Sequence, residues 1–466
     1  MSARPRPGGF FAPAWSTGFF WTALSLELFL IALLSRYGEL SVHGHALRFV
    51  AIYSGAGAAY LLAIRGFGVI GKKHRPRIFW LGAIALRLAV FPMAAGDDMA
   101  RYIWEGEVQL HGVNPYLNSP DAESLSSLRN ENWRKINHAE WPAIYPPAAE
   151  LLFAQMTRIS SSPYFFKAVF VVADLLVCVL LLRLNTGPGR YRSVAWFAWN
   201  PLVVCAFAGA GHFDSLMLLA MTAAIFALHR AKPLQTGEPA WSWAIVAAVS
   251  LGLAIAIKAV PVFLLPAGVL ALRGRSIVLV VSLAIPWLFT LPFGGWFVVN
   301  KSLAEFARVT RFNDSIWWFF ELGAWPPSVK QTVNWCWFHG LPFAGLNPYY
   351  ENSRANFLLA LVVAGIVVVF RKDWRRAALW TLGAALLISP VLHPWYVTWI
   401  LPLACWRRQF AWSVFALSVA FCLLVWEAGP FWGEWRMTPL LHLLVLAPPL
   451  LAWLFSFRLQ EKTANV

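Results

Sequence analysis

The chain has 466 residues, of which 59% are hydrophobic and only 13% are charged. A typical soluble domain is about 45–50% apolar and about 25% charged, so a single soluble core cannot absorb this composition. The net charge of +16 is spread over short basic clusters between apolar segments, without a nucleic-acid-binding motif, which argues against a nucleic-acid partner. The composition therefore predicts an integral membrane protein that contacts lipid along most of its length.

Apolar segments of membrane-spanning length recur along the whole chain. They predict an all-α integral membrane protein with about 14 transmembrane helices, within a range of about 11 to 14. The predicted crossings are residues 17–35, 47–64, 78–95, 164–183, 194–210, 213–229, 242–257, 260–272, 276–293, 355–370, 375–390, 394–406, 410–426 and 438–457. The apolar segment 146–159 is predicted to be a re-entrant or interfacial helix, because a further crossing there would move three arginines of the next connection to the outer side.

Basic residues are distributed unevenly between the two sides of this topology. With the N-terminus inside, the inner segments contain 22 Lys and Arg residues against three acidic residues, whereas the outer segments contain 15 basic and 17 acidic residues. An excess of basic residues on one side follows the positive-inside rule. Both termini are therefore expected on the cytoplasmic side.

Residues 1–466 are interpreted as a single polytopic transmembrane domain without a separable soluble part. Its inner connections are short, and two outer loops, 96–163 and 294–354, are long and rich in Trp, Tyr and Pro. Long connecting segments on a rigid scaffold often carry functional residues. We expect short helices in these loops and a functional site on the outer face.

Unusual polar residues at helix ends fall mostly on this outer side. Taken singly, each is more often a helix cap or a solvated group than a functional residue. Their shared placement near one plane favours a common site. They are Asp97, Asp98, His212, Asp214, Lys258, Asn313, Asp314 and His393.

An adjacent carboxylate pair follows the third predicted crossing. Asp97 and Asp98 precede Arg101 by four and three residues, so either can share a helix face with its guanidinium. A nearby cation favours charged carboxylates, and a general base must be charged; an acidic helix cap with a salt bridge is the structural alternative. Neighbouring helical positions diverge by about 100°. Asp98, four residues before Tyr102, is therefore expected to be the base, and Asp97 is expected to orient the loop.

Several segments between about residues 90 and 405 resemble, in order, the bacterial polytopic mannosyltransferases of the GT-C superfamily. The narrower resemblance is to glycosyltransferase family 87 and the polyprenol-phosphate-mannose-dependent group. The segments are 97–116, 145–147, 199–201, 211–214, 258–261, 312–315 and 394–396. Glu105 and Phe213 depart from the family pattern, in which Asp and Asn are more usual at these positions. The resemblance implies a GT-C-like architecture, a polyprenyl-phosphate sugar donor, an outer-loop aspartate as base and inversion at the anomeric carbon, in the bacterial plasma (inner) membrane.

A physical argument favours the same donor. The chain contains no Gly-rich phosphate loop and no βαβ pattern for a cytoplasmic nucleotide sugar, whereas a lipid-phosphate sugar already lies in the outer leaflet. The expected partners are membrane lipid, the polyprenyl-phosphate sugar, and a glycolipid or glycan acceptor. No cofactor beyond the donor substrate is certain. His212 and Asp214 are compatible with a divalent metal, but no further ligands follow at a recognisable spacing, so none is indicated and no metal ligand is assigned.

The leaving phosphate would need cations, and the sugar would need aromatic and polar contacts. Lys258 is the clearest cation, although a lysine at a helix end can simply extend its charge to the interface. The predicted phosphate contacts are Arg101, Lys258, Arg311 and His393. The predicted substrate contacts are Tyr102, Trp104, Asn114, Tyr145, His212, Asp214, Asn313, Asp314 and Tyr396.

The sequence thus predicts a membrane glycosyltransferase, and a secondary transporter or lipid flippase is the alternative. Transporters tend to contain internal repeats and ionisable groups at the bilayer midplane. No repeat is evident here, but Glu27, Arg87 and Asp174 fall within predicted helices, where we expect structural pairing. A non-catalytic scaffold would explain the composition but not the aligned polar residues.

Overall fold

A computed structural model describes residues 16–231, 240–272, 277–310, 312–313, 331–332, 335, 352–427 and 437–464. Over these ranges the chain is helical and contains no β-strand, apart from an isolated parallel bridge between Phe312 and Val391. The predicted all-α class is confirmed. The lone bridge joins a described part of the second outer loop to the segment that follows residue 388.

Nine α-helices are described before residue 232, and two of them, with two short 3-10 helices, lie in the first outer loop. They are α1 (Thr17–Leu34), α2 (His45–Gly66), α3 (Arg75–Val90), α4 (Asp98–Leu110), α5 (Pro147–Ile159), α6 (Pro163–Leu184), α7 (Arg190–Ala198), α8 (Pro201–Val204) and α9 (Asp214–Ala231). A π-helical turn, Cys205–Ala210, continues α8. Such turns interrupt regular helices and often accompany functional sites.

The principal α-helices of the second half alternate with short 3-10 segments. They are α10 (Trp241–Ile257), α11 (Leu265–Ala271), α12 (Ile277–Phe289), α13 (Trp296–Val309), α14 (Asn352–Val369), α15 (Trp374–Ile388), α16 (Leu401–Arg407), α17 (Phe410–Ser418) and α18 (Pro439–Ala464). The 3-10 segment Pro394–Trp399 precedes α16. Its aromatic side chains belong to the site described below.

Six helices in the described part of the chain are long and apolar enough to cross a membrane, and two bent helix pairs raise this number to eight. The pairs bend by 52° between α7 and the segment Pro201–Ala210, and by 96° before α13. Helices also occupy the other predicted crossings, but α3, for example, has only 16 residues, and a perpendicular crossing needs about 20. A count of about 14 crossings therefore stays a prediction.

Of the three ionisable residues predicted to be paired within helices, Arg87 and Asp174 pair with each other. Arg87 Nε donates to Asp174 Oδ2 at 2.5 Å, and Arg87 Nη1 donates to the carbonyl oxygens of Ala83 and Ala198. This ion pair joins α3, α6 and α7, so the expected structural pairing is confirmed for both residues. Glu27 is buried, and neither of its carboxyl oxygens has a hydrogen-bond partner among the described residues, so the pairing expected for it is not found there.

Two glycines allow the close packing that positions the outer loop. A Cβ at Gly106 of α4 would lie 2.7 Å from the Phe153 carbonyl oxygen of α5, so only glycine lets these two helices pack this closely. Gly211 has a φ of 78°, in the left-handed region that favours glycine. It turns the chain from the π-helical segment into α9. The backbone N–H of Gly96 donates to the Ala210 carbonyl at 2.8 Å, which brings this turn beside the start of α4.

Candidate active site

The carboxylate pair lies at the N-terminus of α4. Asp97 is the N-cap residue, and its Oδ1 accepts a hydrogen bond from the Asp98 backbone N–H at 3.1 Å. The Asn137 carboxamide nitrogen lies 3.0 Å from Asp97 Oδ2 and 3.3 Å from Asp98 Oδ1. A single amide therefore bridges the two side chains, and the helix N-terminus adds a favourable field for their negative charge.

The second carboxylate oxygen of Asp98 faces two further polar groups. The Tyr102 hydroxyl donates to Asp98 Oδ2 at 3.3 Å, and His212 Nδ1 lies 3.7 Å from the same oxygen. The Asp98 side chain is 18% exposed, and that of His212 is 6% exposed. Asp98 and Tyr102 thus share one face of α4, as the sequence predicts, and Asp98 opens toward solvent beside a buried imidazole.

The charges of the two aspartates depend on each other. Burial by the surrounding protein raises the pKa of Asp97, and the charge of Asp98 raises it further. The Asn137 hydrogen bond and the proximity of His212 act in the opposite direction and lower the Asp97 pKa. The pair therefore retains a proton to higher pH than two isolated aspartates would.

The sequence predicted that Arg101 pairs with Asp97 or Asp98, and this prediction was wrong. Its Nε donates to Glu105 Oε1 at 2.9 Å, and its side chain is fully buried. Its Nη1 and Nη2 donate to four carbonyl oxygens of the outer loop, those of Asn137, His138, Trp141 and Pro142. A guanidinium has five N–H donors, and all five have protein acceptors here. In this arrangement Arg101 has no donor left for a phosphate group.

Lys258 lies in an aromatic enclosure next to a buried carboxylate. Its Nζ donates to Asp214 Oδ1 at 2.8 Å, and the Trp399 indole N–H donates to the same oxygen at 2.6 Å. The rings of Phe213, Tyr396 and Trp399 lie 4.8 to 5.0 Å from the ammonium nitrogen. The Lys258 side chain remains 16% exposed. An ammonium group has three N–H donors, and among the described residues Asp214 accepts from one of them, so the others can serve an anionic or hydroxyl ligand.

Four rings form a continuous stack beside Asp98. Trp395 lies between two imidazoles, with centroid distances of 3.7 Å to His212 and 4.5 Å to His393. His393 in turn stacks on Phe312 at 4.9 Å. The backbone of Phe312 is fixed by hydrogen bonds with Pro390 and Leu392. The stack therefore links the second outer loop to the carboxylate pair.

Both imidazoles of the stack are neutral near pH 7. Burial lowers the pKa of His212 to about 4. Burial, together with the neighbouring His212 and Lys258, lowers the pKa of His393 to about 3. His393 can therefore contact a phosphate through a neutral N–H, but it does not supply the positive charge that a developing phosphate anion needs.

Several buried polar atoms around the site have no hydrogen-bond partner among the described residues. Such atoms are rare in folded proteins, because each unmet donor or acceptor has a free-energy cost of about 1–3 kcal/mol. Sugar hydroxyl groups would satisfy them. The atoms are Tyr145 Oη, His212 Nδ1, Asp214 Oδ2 and Asn313 Oδ1.

Two of the remaining aromatic candidates border the site. Tyr145 packs edge-on against Tyr102 and Phe213, with centroid distances of 5.2 and 5.3 Å. Tyr396 stacks on Trp399 at 4.0 Å and faces Lys258. Phe213 contacts both Tyr102, at 5.3 Å between ring centroids, and the Lys258 ammonium, at 4.9 Å from its ring.

Two other candidates lie apart from the carboxylates. Trp104 is buried in a small cluster with Val108 and Leu125, within the outer loop. The Asn114 carboxamide donates to the Phe293 carbonyl at 2.8 Å and connects the first outer loop to the second.

Asn313, in contrast, lies beside the ring stack, and its carboxamide donates to the Leu392 carbonyl at 3.0 Å. Arg311 and Asp314 lie outside the described residues.

Three residues of the site were not among the predicted ones. Asn137 stands in a polar loop segment without a recognisable motif, and only the folded loop brings it to the aspartates. Trp395 and Trp399 are two of the 27 tryptophans in the chain, and tryptophan is common at membrane interfaces without belonging to a site. Trp395 belongs to the segment 394–396 of the family resemblance, which is the one available signal for it.

No group of three or more His, Cys, Asp or Glu side chains in the described part of the chain is arranged to hold a metal ion. Asp98 can accept a proton, Lys258 can contact an anion, and the unmet polar atoms can bind hydroxyl groups. Together these features suit transfer to a hydroxyl acceptor.

Comparison with known families matches the N-terminal half of the chain. The family model for the alpha-(1->6)-mannopyranosyltransferase N-terminal domain (MptA_B family) covers residues 29–274, which are 246 of the 466 residues. The match includes the aspartate pair, His212, Asp214 and Lys258. No curated protein and no solved structure matches the chain significantly. With its apolar helices, the match confirms a membrane glycosyltransferase and the predicted resemblance to mannosyltransferases: the chain belongs to the MptA_B family of alpha-(1->6)-mannopyranosyltransferases.

Proposed function

We propose that this protein transfers mannose from a polyprenyl-phosphate donor to a hydroxyl group of a glycolipid or glycan. The reaction takes place on the outer face of the bacterial plasma membrane, within a GT-C-like fold whose termini are cytoplasmic. The observation that carries the proposal is the bridged Asp97–Asp98 pair at the start of α4. A carboxylate that is partly open to solvent and held by neighbouring donors is suited to take a proton from an incoming hydroxyl.

Asp98 acts as the general base in this proposal. As its carboxylate takes the acceptor hydroxyl proton, the hydroxyl oxygen forms a bond to the anomeric carbon. The bond between that carbon and the phosphate oxygen breaks, and its electron pair leaves with the phosphate. A single displacement inverts the anomeric configuration. An α-linked product, as the family description names, therefore requires a β-linked donor, and a 1→6 linkage requires a primary hydroxyl acceptor.

Among the residues that the structure describes, Lys258 is the strongest candidate for stabilising the leaving phosphate. Arg101 is committed to protein acceptors, and His393 is neutral because its pKa is lowered to about 3. Lys258 has N–H donors besides the one that Asp214 accepts, and its ammonium group is partly exposed. Asp214 offsets part of its charge, so the lysine would act mainly through directed hydrogen bonds to the phosphate oxygens.

The buried polar atoms without a hydrogen-bond partner among the described residues support binding of a sugar between Asp98 and Lys258. Asp214 Oδ2 and Asn313 Oδ1 are acceptors, and Tyr145 Oη is a potential donor. A mannosyl ring that filled this space would present several hydroxyl groups to them. Buried polar groups that only the correct ligand satisfies give strong discrimination against analogues.

The experiment that tests the proposal uses the full-length protein in lipid nanodiscs. It is incubated with β-linked polyprenyl-phosphate [¹⁴C]mannose and a short α-mannoside acceptor, and label in the acceptor is measured. The expected result is an α-(1→6)-linked product and free polyprenyl phosphate. GDP-mannose and polyprenyl-phosphate glucose serve as donor controls. Transfer from GDP-mannose would contradict the lipid donor, and movement of unaltered donor between leaflets without transfer would favour a flippase.

A further inference from the structure

A buried polar network lies behind the carboxylate pair, between α4 and α5. At its centre, Arg101 donates to the carbonyl oxygens of four loop residues at 2.6 to 3.2 Å. One of these, His138, has a left-handed φ of 52°, which turns successive carbonyls toward the guanidinium. A single side chain therefore gathers the loop 137–142 around itself.

Two buried glutamates complete this network. Glu105 Oε1 accepts from Arg101 Nε at 2.9 Å. Glu150 of α5 lies beside Glu105, and the Gln109 amide donates to Glu150 Oε2 at 3.1 Å. Glu105 Oε2 and Glu150 Oε1 are buried and accept no hydrogen bond from another described residue. These two oxygens are therefore the ones available to share a proton between the carboxyl groups.

The network is neutral when it holds one proton on this pair. Burial raises the pKa of both glutamates, and the charge of Glu105 raises the pKa of Glu150 further. Arg101 acts in the opposite direction and favours the charged form of Glu105. Glu150 therefore favours the neutral form more strongly than Glu105, and with one proton on the pair the remaining negative charge balances the positive charge of Arg101. We call Arg101, Glu105 and Glu150 the α4–α5 network.

We propose that the α4–α5 network positions the catalytic carboxylates by holding the Asn137 carboxamide between them. The mechanical link is one residue, because the carbonyl of Asn137 bonds to Arg101 while its side chain bonds to both aspartates. The inference rests on the proposed function, since it concerns the carboxylate pair of that reaction. It also reassigns Arg101 from the phosphate end of the site to the support of the base.

Holding the amide in place has a direct chemical consequence. Two adjacent carboxylates repel each other, and the Asn137 hydrogen bond lowers the pKa of Asp97, which keeps the pair ionised at lower pH. The other groups that face the pair are Tyr102 from α4, Tyr145 from before α5 and His212 from before α9. None of them is removed when Asn137 is replaced. A shift in ionisation in an Asn137 variant therefore reports the loss of the amide.

The first test compares Asn137→Ala with Asn132→Ala in the nanodisc transfer assay. Asn137→Ala is expected to lower kcat by about 10-fold or more and to change KM by less than about 3-fold, because the amide acts on the base rather than on substrate binding. The acid limb of the pH–rate profile should move to higher pH. Asn132 is the matched control, since its amide contacts a different carboxylate of α4, Glu107, at 3.5 Å. Its variant should retain the wild-type profile.

The second test asks whether the α4–α5 network acts through Asn137. Arg101→Lys keeps the positive charge but cannot make the same set of bonds to the loop carbonyls, so it is expected to lower kcat and to move the acid limb upward as Asn137→Ala does. The double variant should be no slower than the slower single variant, because two changes on one line of action are not additive. Glu150→Gln should keep kcat within about 3-fold, since glutamine preserves a neutral group with an N–H donor. Additive losses in the double variant would overturn the inference.

A measurement that does not depend on turnover separates this inference from the proposed function. Infrared titration of protonated aspartate in the nanodisc protein, with Asp97→Asn and Asp98→Asn to assign the band, follows the pair directly. The band should persist to higher pH in Asn137→Ala and Arg101→Lys, but not in Asn132→Ala. If Arg101→Lys does not fold, the comparison of Asn137→Ala with Asn132→Ala decides the question. Unshifted titration in the Asn137 variant would overturn the inference, whereas absence of mannose transfer by the wild type would overturn only the proposed function.

Discussion

His212 Nδ1 lies 3.7 Å from Asp98 Oδ2, although the two residues are separated by more than 100 positions in the chain. The contact joins the start of α4 to the turn that precedes α9. The same turn carries Asp214, which binds Lys258. The proposed base and the proposed phosphate contact therefore each lie beside a residue of one short segment, 211–214, which begins with the left-handed Gly211.

Asp98→Asn is expected to abolish measurable mannose transfer while donor binding and folding survive. Asparagine keeps the shape of the side chain but cannot accept the hydroxyl proton, and loss of a general base typically slows a reaction by about 10²- to 10⁴-fold. The rate is measured in the nanodisc assay, and donor binding is measured by isothermal titration on the same preparation.

Asp97→Asn is the matched comparison for this change. Asp97 caps α4 and accepts from Asn137, so loss of its charge should leave a slower enzyme, whereas asparagine can keep the N-cap contact and most of the local stability. Near-normal turnover by Asp98→Asn, in protein shown to bind donor, would pass the role of base to Asp97 or Asp214.

Lys258→Ala is expected to weaken donor binding by about 10-fold or more, because loss of a hydrogen bond to a charged group typically costs about 1.5–3 kcal/mol. The Lys258 ammonium has N–H groups that can bind the phosphate of the sugar donor, and its aromatic enclosure is partly open to solvent. Lys167→Ala serves as a control for removing a helix lysine, since its Nζ donates to the Phe91 and Met93 carbonyls and not to site residues. Affinity for polyprenyl phosphate without sugar should fall equally in Lys258→Ala. Unchanged affinity would leave the Asp214 pair as a purely structural contact.

The sequence predicted the helical class and the common location of several polar residues, because both follow from hydrophobic periodicity and from helix ends. It predicted that Asp98 and Tyr102 share a face, since a spacing of four residues determines this locally. It did not predict the partner of Arg101. Asp97, Asp98 and Glu105 all stand within four residues of it, and only the packing of α5 and the loop 137–142 decides between them.

Asn137 and Trp395 were not predicted as site residues because long-range contacts bring them to the site. Asn137 lies 39 residues from Asp98 along the chain, and no periodicity relates the two. The stack of Trp395 between His212 and His393 brings together residues from two distant segments. Aromatic residues near a membrane interface have an alternative role as anchors, so sequence alone does not distinguish a stacked Trp from an anchoring one.

Acidification is expected to disrupt the ring stack. Burial lowers the pKa of His212 from 6.5 to about 4, so the folded site favours the neutral ring. As pH falls from about 6.5 toward 4, an opened or unfolded state takes up the proton first, and the stabilisation of the neutral stack is progressively lost. A pKa difference of this size corresponds to about 3 kcal/mol in the free energy of unfolding for one histidine. Donor affinity should therefore fall over this pH interval.

His212→Phe is the variant that checks the origin of this pH dependence. Phenylalanine can stack on Trp395 but cannot be protonated. Donor affinity in this variant should vary less between pH 6.5 and pH 4 than in the wild type. A wild-type affinity that stays constant over this interval would contradict the expected protonation.

The topology is tested by labelling single cysteines in intact cells with a membrane-impermeant maleimide. The excess of basic residues on the inner side predicts that a cysteine at Ser126 is labelled from outside, whereas cysteines at Lys73 and Lys372 are protected until the membrane is permeabilised. All three positions are exposed on the protein surface, so protection would report the membrane and not burial in the protein. The four described native cysteines are buried, and the fifth, Cys336, is replaced by serine to remove background. Labelling of the Lys73 position in intact cells would place the aspartate pair on the cytoplasmic side, where a nucleotide sugar would become the more plausible donor.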